Sequence, residues 1–410
     1  MSKIMFINSV VDFGSTGRIV RTLAETAKGQ GDEVCIVYGR KDSIKMDDTF
    51  YMGNTISTLN HVFMTRLFGN HGLHSNNATK KLIDKIKSFN PDIIHLHNLH
   101  GYYLNVPMLL KYLNGTDIKI VWTLHDAWII SSSSASFLYN GCKEWDEGCV
   151  KCNNTKDYPE VILFPNEKRN FKWKKDLISK NRNLTIVTPS EWLNKLVSDS
   201  FLKNKSIITI NNGIDTEVFT PNAFNKLNTE LSQKIGNRKV LLGVASDWEF
   251  RKGLSFLEEL SQKVSDKYVV VVVGVSQQQK NHLPDNMIGV LRTNNTEELA
   301  ALYANAFAYI NPTLDDNFPT TNLEALSCGT PVITFDTGGS GESVSPTTGI
   351  VVQERCTEAI QQAILFLETN KEVINYKEEC RNRAINKYDH KRFVKEQIKL
   401  YNDILKKGLV

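Results

Sequence analysis

The sequence predicts an α/β protein built from two doubly wound, Rossmann-like domains. Three observations carry that expectation. Short apolar runs alternate with helical segments along the chain. The runs are continuous rather than alternating, as strands buried on both faces of a parallel sheet must be. The series also stops at a polar stretch near the middle and then begins again. A length of 410 residues suits two or three domains of roughly 100–200 residues each.

Taken in order, Lys3–Asn8 reads as the first strand and Gly17–Gly29 as the helix after it. Glu33–Tyr38, Ile93–Leu96, Ile118–Leu124, Leu184–Thr188 and Ser206–Ile210 complete the first series. Thr216–Arg238, rich in Asn and Lys, reads as the linker. The second series runs through Lys239–Ala245, Tyr268–Val275, Ile288–Leu291, Ala306–Ile310, Pro331–Phe335 and Ile350–Val352, with helices over Leu254–Val264, Glu297–Ala304 and Asn322–Ser327. The expected domains are residues 1–215 and 216–389. The last segment, 390–410, has apolar residues at i, i+3 and i+4, so it must dock, and the first domain is a candidate partner.

Composition removes several function classes. With 41% hydrophobic and 23% charged residues the chain is not largely disordered. No apolar run reaches the roughly 18–20 residues that span a bilayer. A net charge of +4 is too mild to argue for nucleic acid. The apolar start is interrupted at Asp12 and lacks a cleavage site, so it reads as a strand of a cytoplasmic protein rather than a signal peptide. Seven dispersed cysteines do not make a secreted disulfide framework.

Ligands of open α/β sheets bind at the carboxyl ends of strands, and chemistry-bearing residues gather there. Gly14 and Gly17, in Asp12-Phe-Gly-Ser-Thr-Gly-Arg18, open a helix whose N-terminus favours an anion. His97 and Asn98 end one strand; His125 and Asp126 end another. In the second half, Arg251 and Lys252 follow a strand and suit a diphosphate. Asp316, Asn317 and Phe318 lie in a loop, and Glu324 lies eight residues beyond Asp316 near the start of a helix, so both carboxylates can reach one small ligand.

On these residues the chain resembles a GT-B glycosyltransferase of family GT4. The resemblance rests on the Gly14–Gly17 loop, His125-Asp126, Asn211-Asn-Gly-Ile-Asp-Thr-Glu-Val-Phe219, Arg251-Lys252-Gly253, the Asp316/Glu324 pair and Glu324-Ala-Leu-Ser-Cys-Gly-Thr-Pro331. It implies two domains with a cleft between them, the acceptor mostly on the first and a nucleotide diphosphate sugar mostly on the second. It further implies retaining transfer to a glycan or lipid-linked glycan in bacterial polysaccharide biosynthesis. Carried over by position, Glu324 would hold the ribose, Arg251 and Lys252 the diphosphate, and Asp316 the donor sugar, with Asn317 and Phe318 beside it. Gly14 and Gly17 would close near the phosphates, and His125 with Asp126 would sit near the reacting face.

Two positions depart from the family pattern. Asp316 stands where a Glu is usual, and Asp247 stands where an Arg is common. These keep alternatives in play: a non-catalytic subunit supporting a partner transferase, or an epimerase or phosphorylase of the same fold. No Asp-x-Asp triplet occurs, which favours metal-independent chemistry with Arg251 and Lys252 in the metal's electrostatic role. Cys142, Cys149 and Cys152 have ligand-like spacing for zinc, but relatives resembling this chain carry a further Cys where Ser134 stands, so zinc is not expected. The basic, aromatic stretch Asn166–Arg182 reads either as a solvated helix or as a peripheral contact with anionic membrane.

Overall fold

In the computed structural model, which describes residues 1–11, 13–40, 48–142, 145–148 and 158–407, the chain divides into two units. The first comprises Met1–Ile210 with Val394–Val410, and the second Asn211–Phe393.

The sheet of the first unit contains β1 (Lys3–Asn8), β2 (Glu33–Tyr38), β3 (Thr49–Tyr51), β4 (Ile93–Leu96), β5 (Lys119–Thr123), β6 (Leu184–Thr188) and β7 (Ser206–Thr209). Their spatial order is β3-β2-β1-β4-β5-β6-β7, with all pairs parallel. The second sheet contains β8 (Lys239–Val244), β9 (Tyr268–Val273), β10 (Met287–Val290), β11 (Ala306–Asn311), β12 (Val332–Phe335) and β13 (Gly349–Val352). Its order, β10-β9-β8-β11-β12-β13, repeats the same winding, again all parallel. Each sheet therefore reverses its strand order once, between β1 and β4 and between β8 and β11. The strand ends splay apart there and leave a crevice.

The valine run shows why the apolar strands are continuous. Val269 and Val271 pack with Leu242 and Tyr309 on one face of β9, while Val270 and Val272 pack with Leu241 and Ile310 on the other. Burying each valine stabilises the fold by about 1.5 kcal/mol or more, so both faces must be covered by helices.

Three features differ from the sequence reading. β3 was not anticipated: it is a three-residue edge strand with no apolar run of its own to announce it. The first helix begins at Gly14 rather than Gly17. The polar stretch read as a linker belongs to the second unit, where Phe219, Ala223, Leu231 and Ile235 are core residues and Thr229–Ile235 is a helix. The final helix, His390–Lys407, begins in the second unit and ends in the first. There Tyr401 Oη lies 2.6 Å from His95 Nδ1 on β4.

Candidate active site

In the second unit the crevice between β8 and β11 is occupied by an ion pair. β8 is followed by the tight turn Phe250–Lys252 and then Gly253, at φ +76°, which opens the helix Leu254–Lys263. A Cβ on Gly253 would lie 2.2 Å from the Pro312 carbonyl oxygen, so only glycine lets the two loops close here. The Leu314 N–H donates to the Arg251 carbonyl at 2.7 Å and locks the loop after β8 to the loop after β11. Lys252 Nζ is thereby brought 2.5 Å from Asp316 Oδ2. Both side chains keep about a fifth of their surface in solvent, so the pair remains open to exchange with a ligand. The Arg251 guanidinium donates to the Asp315 carbonyl at 3.1 Å and lies 3.2 Å from Glu249.

A shell beneath this pair fixes its position. Asn311, at the end of β11, donates to Asn322 Oδ1 at 2.9 Å, and Asn322 in turn donates to the Ser340 carbonyl and to Ser343 Oγ. The loop after β12 closes over the back of Asp316: the Gly339 N–H donates to the Asp316 carbonyl at 3.0 Å. Gly338, at φ +58°, would place a Cβ 2.0 Å from that oxygen. Sequence reasoning missed Gly338 and Gly339, although a Gly-Gly pair at a strand's carboxyl end was a legible signal. Glu324, on the helix Thr320–Ser327, is buried and accepts a hydrogen bond from Tyr303 Oη at 3.0 Å. The Phe318 side chain is a core residue packed on Tyr388, not a surface facing a ligand, because apolar packing claims the ring. Asn317 beside it is also buried.

In the first unit the residues at the strand ends form a chain of rings. His97 Nδ1 lies 3.0 Å from His125 Nε2, and the two imidazoles stack at 5.3 Å. One of those nitrogens must be bare to accept from the other. Burial holds His125 down to about 4 and His97 well below its usual value, so both are neutral near pH 7. Asp126 accepts from the Trp128 N–H at 2.9 Å and lies 2.8 Å from His100 Nε2. Burial would raise this carboxyl, but the His100 charge and hydrogen bond and the Trp128 N–H outweigh it and keep it low. His125 thus offers a neutral hydrogen-bonding ring, and Asp126 is committed to holding its neighbours.

The loop after His125-Asp126 is clamped from below by the helix Glu167–Ile178. Lys174 is fully buried; its Nζ donates to the Trp128 carbonyl at 2.6 Å and the Ser131 carbonyl at 3.1 Å, and sits 3.8 Å from the centre of the Trp128 ring. Glu167 accepts from Ser133 Oγ at 2.7 Å, and Asn170 donates to Ser133 Oγ and the Gly69 carbonyl. This corrects the reading of Asn166–Arg182 as a solvated helix. Its inner face at positions 167, 170, 171, 174 and 178 is buried, and that spacing was visible in the sequence. Lys174 was missed because a lysine is rarely assigned to a buried stripe.

Similarity to known proteins agrees with this architecture. Residues 16–218 match the family model described as Glycosyltransferase Family 4, and residues 229–387 match Glycosyl transferases group 1. The chain belongs to the family 4 glycosyltransferases of GT-B fold. The putative colanic acid biosynthesis glycosyl transferase WcaC of Escherichia coli K12 is 25% identical over 275 residues, 64% of each chain. A glycogen synthase of Clostridium kluyveri is 21% identical over 291 residues, covering 63% of this chain and 60% of that one. The matches thus span less than two thirds of these relatives. Among solved structures, sucrose-phosphate synthase of Thermosynechococcus elongatus shares the fold at TM-score 0.74 and 16% identity, covering 98% of this chain and 99% of that one. Anabaena HepE, solved with UDP and glucose, does so at TM-score 0.69 and 13% identity, covering 98% and 100%.

The remaining candidates of this family 4 chain are less tightly placed. Gly14, at φ +65°, is exposed at the start of its helix with open space where a Cβ would stand, and Gly17 is buried one turn on. Asp12 lies outside the described residues, as do Cys149 and Cys152. Cys142 packs at the edge of the first core. Ser134 is buried and donates to the Ser136 carbonyl at 2.6 Å. Among the described residues no group of three or more His, Cys, Asp or Glu is arranged to hold a metal ion.

Proposed function

We propose that the chain transfers a sugar, with retention and without a metal ion, from a nucleotide diphosphate donor to a glycan or lipid-linked glycan acceptor in bacterial polysaccharide biosynthesis. The observation that carries this reading is the Lys252–Asp316 pair in the crevice of the second unit. Breaking an anomeric bond builds negative charge on the departing diphosphate and oxocarbenium character on the sugar. A phosphate oxygen can replace Asp316 as the partner of Lys252, which stabilises the leaving group as its charge grows. That exchange frees the Asp316 carboxylate to accept from a sugar hydroxyl. Arg251 supplies a second cation, Glu324 is assigned the ribose hydroxyls, and the neutral His125 ring is assigned a hydroxyl of the transferred sugar.

Relatives and neighbours lend the substrate class. HepE has been solved with UDP-glucose, and a trehalose-6-phosphate synthase of E. coli with UDP-2-fluoro glucose. WcaC is named for colanic acid biosynthesis. The test is a screen of nucleotide-sugars for slow donor hydrolysis, water standing in for the acceptor, with and without EDTA. Hydrolysis of one donor that survives EDTA and is lost in Lys252→Ala supports the reading. Failure to bind any nucleotide diphosphate would sink it. Activity abolished by EDTA and restored by Mg²⁺ would sink its metal-independent part.

A further inference from the structure

Glu324, assigned above to the ribose hydroxyls, is only 3% exposed, on a helix whose residues from Asn322 to Ser327 are all buried. Burial favours the neutral acid, so a carboxylate sealed in this way needs hydrogen-bond donors if it is to stay ionised. Tyr303 supplies one. From the last turn of the helix Thr296–Asn305, its Oη donates to Glu324 Oε2 at 3.0 Å.

The rest of Tyr303 holds the phenol in place for this contact. The side chain is fully buried, and its ring meets Phe219 and Tyr309 edge-to-face with ring centres 6.2 and 5.4 Å away. Its carbonyl accepts from Thr330 Oγ1 at 2.6 Å, which pins the backbone as well. Burial, and after it the Glu324 charge, push the phenol well above its usual value. It therefore keeps its proton and donates to the carboxylate, a charge-assisted hydrogen bond of the stronger kind. Packing alone would be served as well by phenylalanine, which has no buried hydroxyl to satisfy.

Fixing Oε2 fixes the plane of the carboxylate, and so the directions from which it accepts. A carboxylate has about four acceptor positions, so one phenol does not exhaust it. We infer that Tyr303 is a positioning residue for nucleotide recognition: it holds Glu324 ionised and in one orientation, and through it makes the second unit select ribonucleotides over 2′-deoxyribonucleotides. This role rests on the assignment of Glu324 to the ribose and adds a residue that acts through it. Without the phenol the buried carboxyl takes up a proton, and its bonds to sugar hydroxyls become neutral ones. The difference between charged and neutral hydrogen bonds corresponds to a loss of roughly tenfold in discrimination.

The test is calorimetry on the full chain with UDP, GDP and ADP, each against its 2′-deoxy form, followed through on the pair bound most tightly. The parent should prefer the ribose form, and Glu324→Gln should abolish that preference. Tyr303→Phe, which keeps the ring and its packing, should reduce it roughly tenfold. Added to Glu324→Gln, it should change nothing further, as is required of a residue that acts only through another. A Tyr303→Phe chain that keeps the parent's preference, with a lower melting temperature as its sole defect, would overturn the proposal and leave Glu324 on the ribose. So would a Tyr303→Phe chain that does not fold, or a further loss in the double variant, since the phenol would then act on the fold rather than on Glu324. A preference that survives in Glu324→Gln, or is absent from the parent, would remove the ribose assignment itself and Tyr303's role with it.

Discussion

The two units wind their sheets in the same order, yet they furnish their strand ends with opposite chemistry. The first unit sets neutral rings there: seven of the nine histidines precede residue 126, and His95, His97 and His125 pack against one another. The second sets a cation against a carboxylate, Lys252 on Asp316. Their lysines make the same contrast. Lys174 is sealed in and spends its proton donors on two backbone carbonyls, whereas Lys252 is partly open to solvent and holds a partner that a ligand can displace. One winding thus supports buried neutral rings in one copy and an exchangeable ion pair in the other. What differs is which residue types follow the strands, not the sheet.

The sharpest way to break this comparison is acid. Burial lowers His61 and His95 to about 3 and His125 to about 4, from 6.5. Between those limits the unfolded chain binds more protons than the folded one. Stability is therefore fully present above about pH 6.5 and falls as pH drops toward 4, by up to about 1.4 kcal/mol per pH unit for each such histidine. In the second unit, the hydrogen bond from Lys239 holds Glu368 down to about 2, so its contribution is lost only between about pH 4.5 and 2. The first unit should open first on acidification. Tryptophan fluorescence should report it, since five of the six tryptophans lie there, and simultaneous loss of both units by hydrogen exchange would defeat the idea.

Next in size is Lys174→Ala, expected to destabilise the first unit by about 3 kcal/mol because two buried carbonyls lose their donor and Trp128 loses its cation. Urea unfolding measures it, and a cost below about 1 kcal/mol would show that the clamp is slack. For Lys252→Ala we expect donor hydrolysis to fall roughly a hundredfold, about 2.7 kcal/mol in the barrier, with an unchanged melting temperature. His125→Ala should slow turnover by roughly tenfold, about 1.4 kcal/mol, while nucleotide diphosphate affinity measured by calorimetry stays put. Loss of affinity in step with rate would remove the division of labour between rings and ion pair. Gly338→Ala bears on stability rather than rate: positive-φ strain and a Cβ placed against the Asp316 carbonyl should together cost about 2 kcal/mol or more, read as a lower melting temperature.

Most strands were legible because burial on both faces leaves a run of apolar residues with no polar interruption, as in Tyr268–Val273. β3 was not, since three half-exposed residues at an edge carry no such run. Strand-end residues were legible as candidates because each lies just past an apolar run, as Lys252 and His125 do. Their partners were not: nothing local in the sequence tells Lys252 that its contact is Asp316, 64 residues on, or tells Lys174 that it will face Trp128. For the same reason the sequence did not show that the Phe318 ring packs on Tyr388.

The hydrogen bond between His95 and Tyr401 joins residues 306 positions apart. The first unit therefore cannot be finished until the second has been synthesised, because the helix that completes it follows the second unit in the chain. At the ribosome's pace of roughly 5–20 residues per second, the 183 residues of Asn211–Phe393 delay that helix by about 10 to 40 s. Throughout this interval His95 on β4 lacks its hydrogen-bonding partner, Tyr401. The order of synthesis thus leaves the first unit half-built while the second is made.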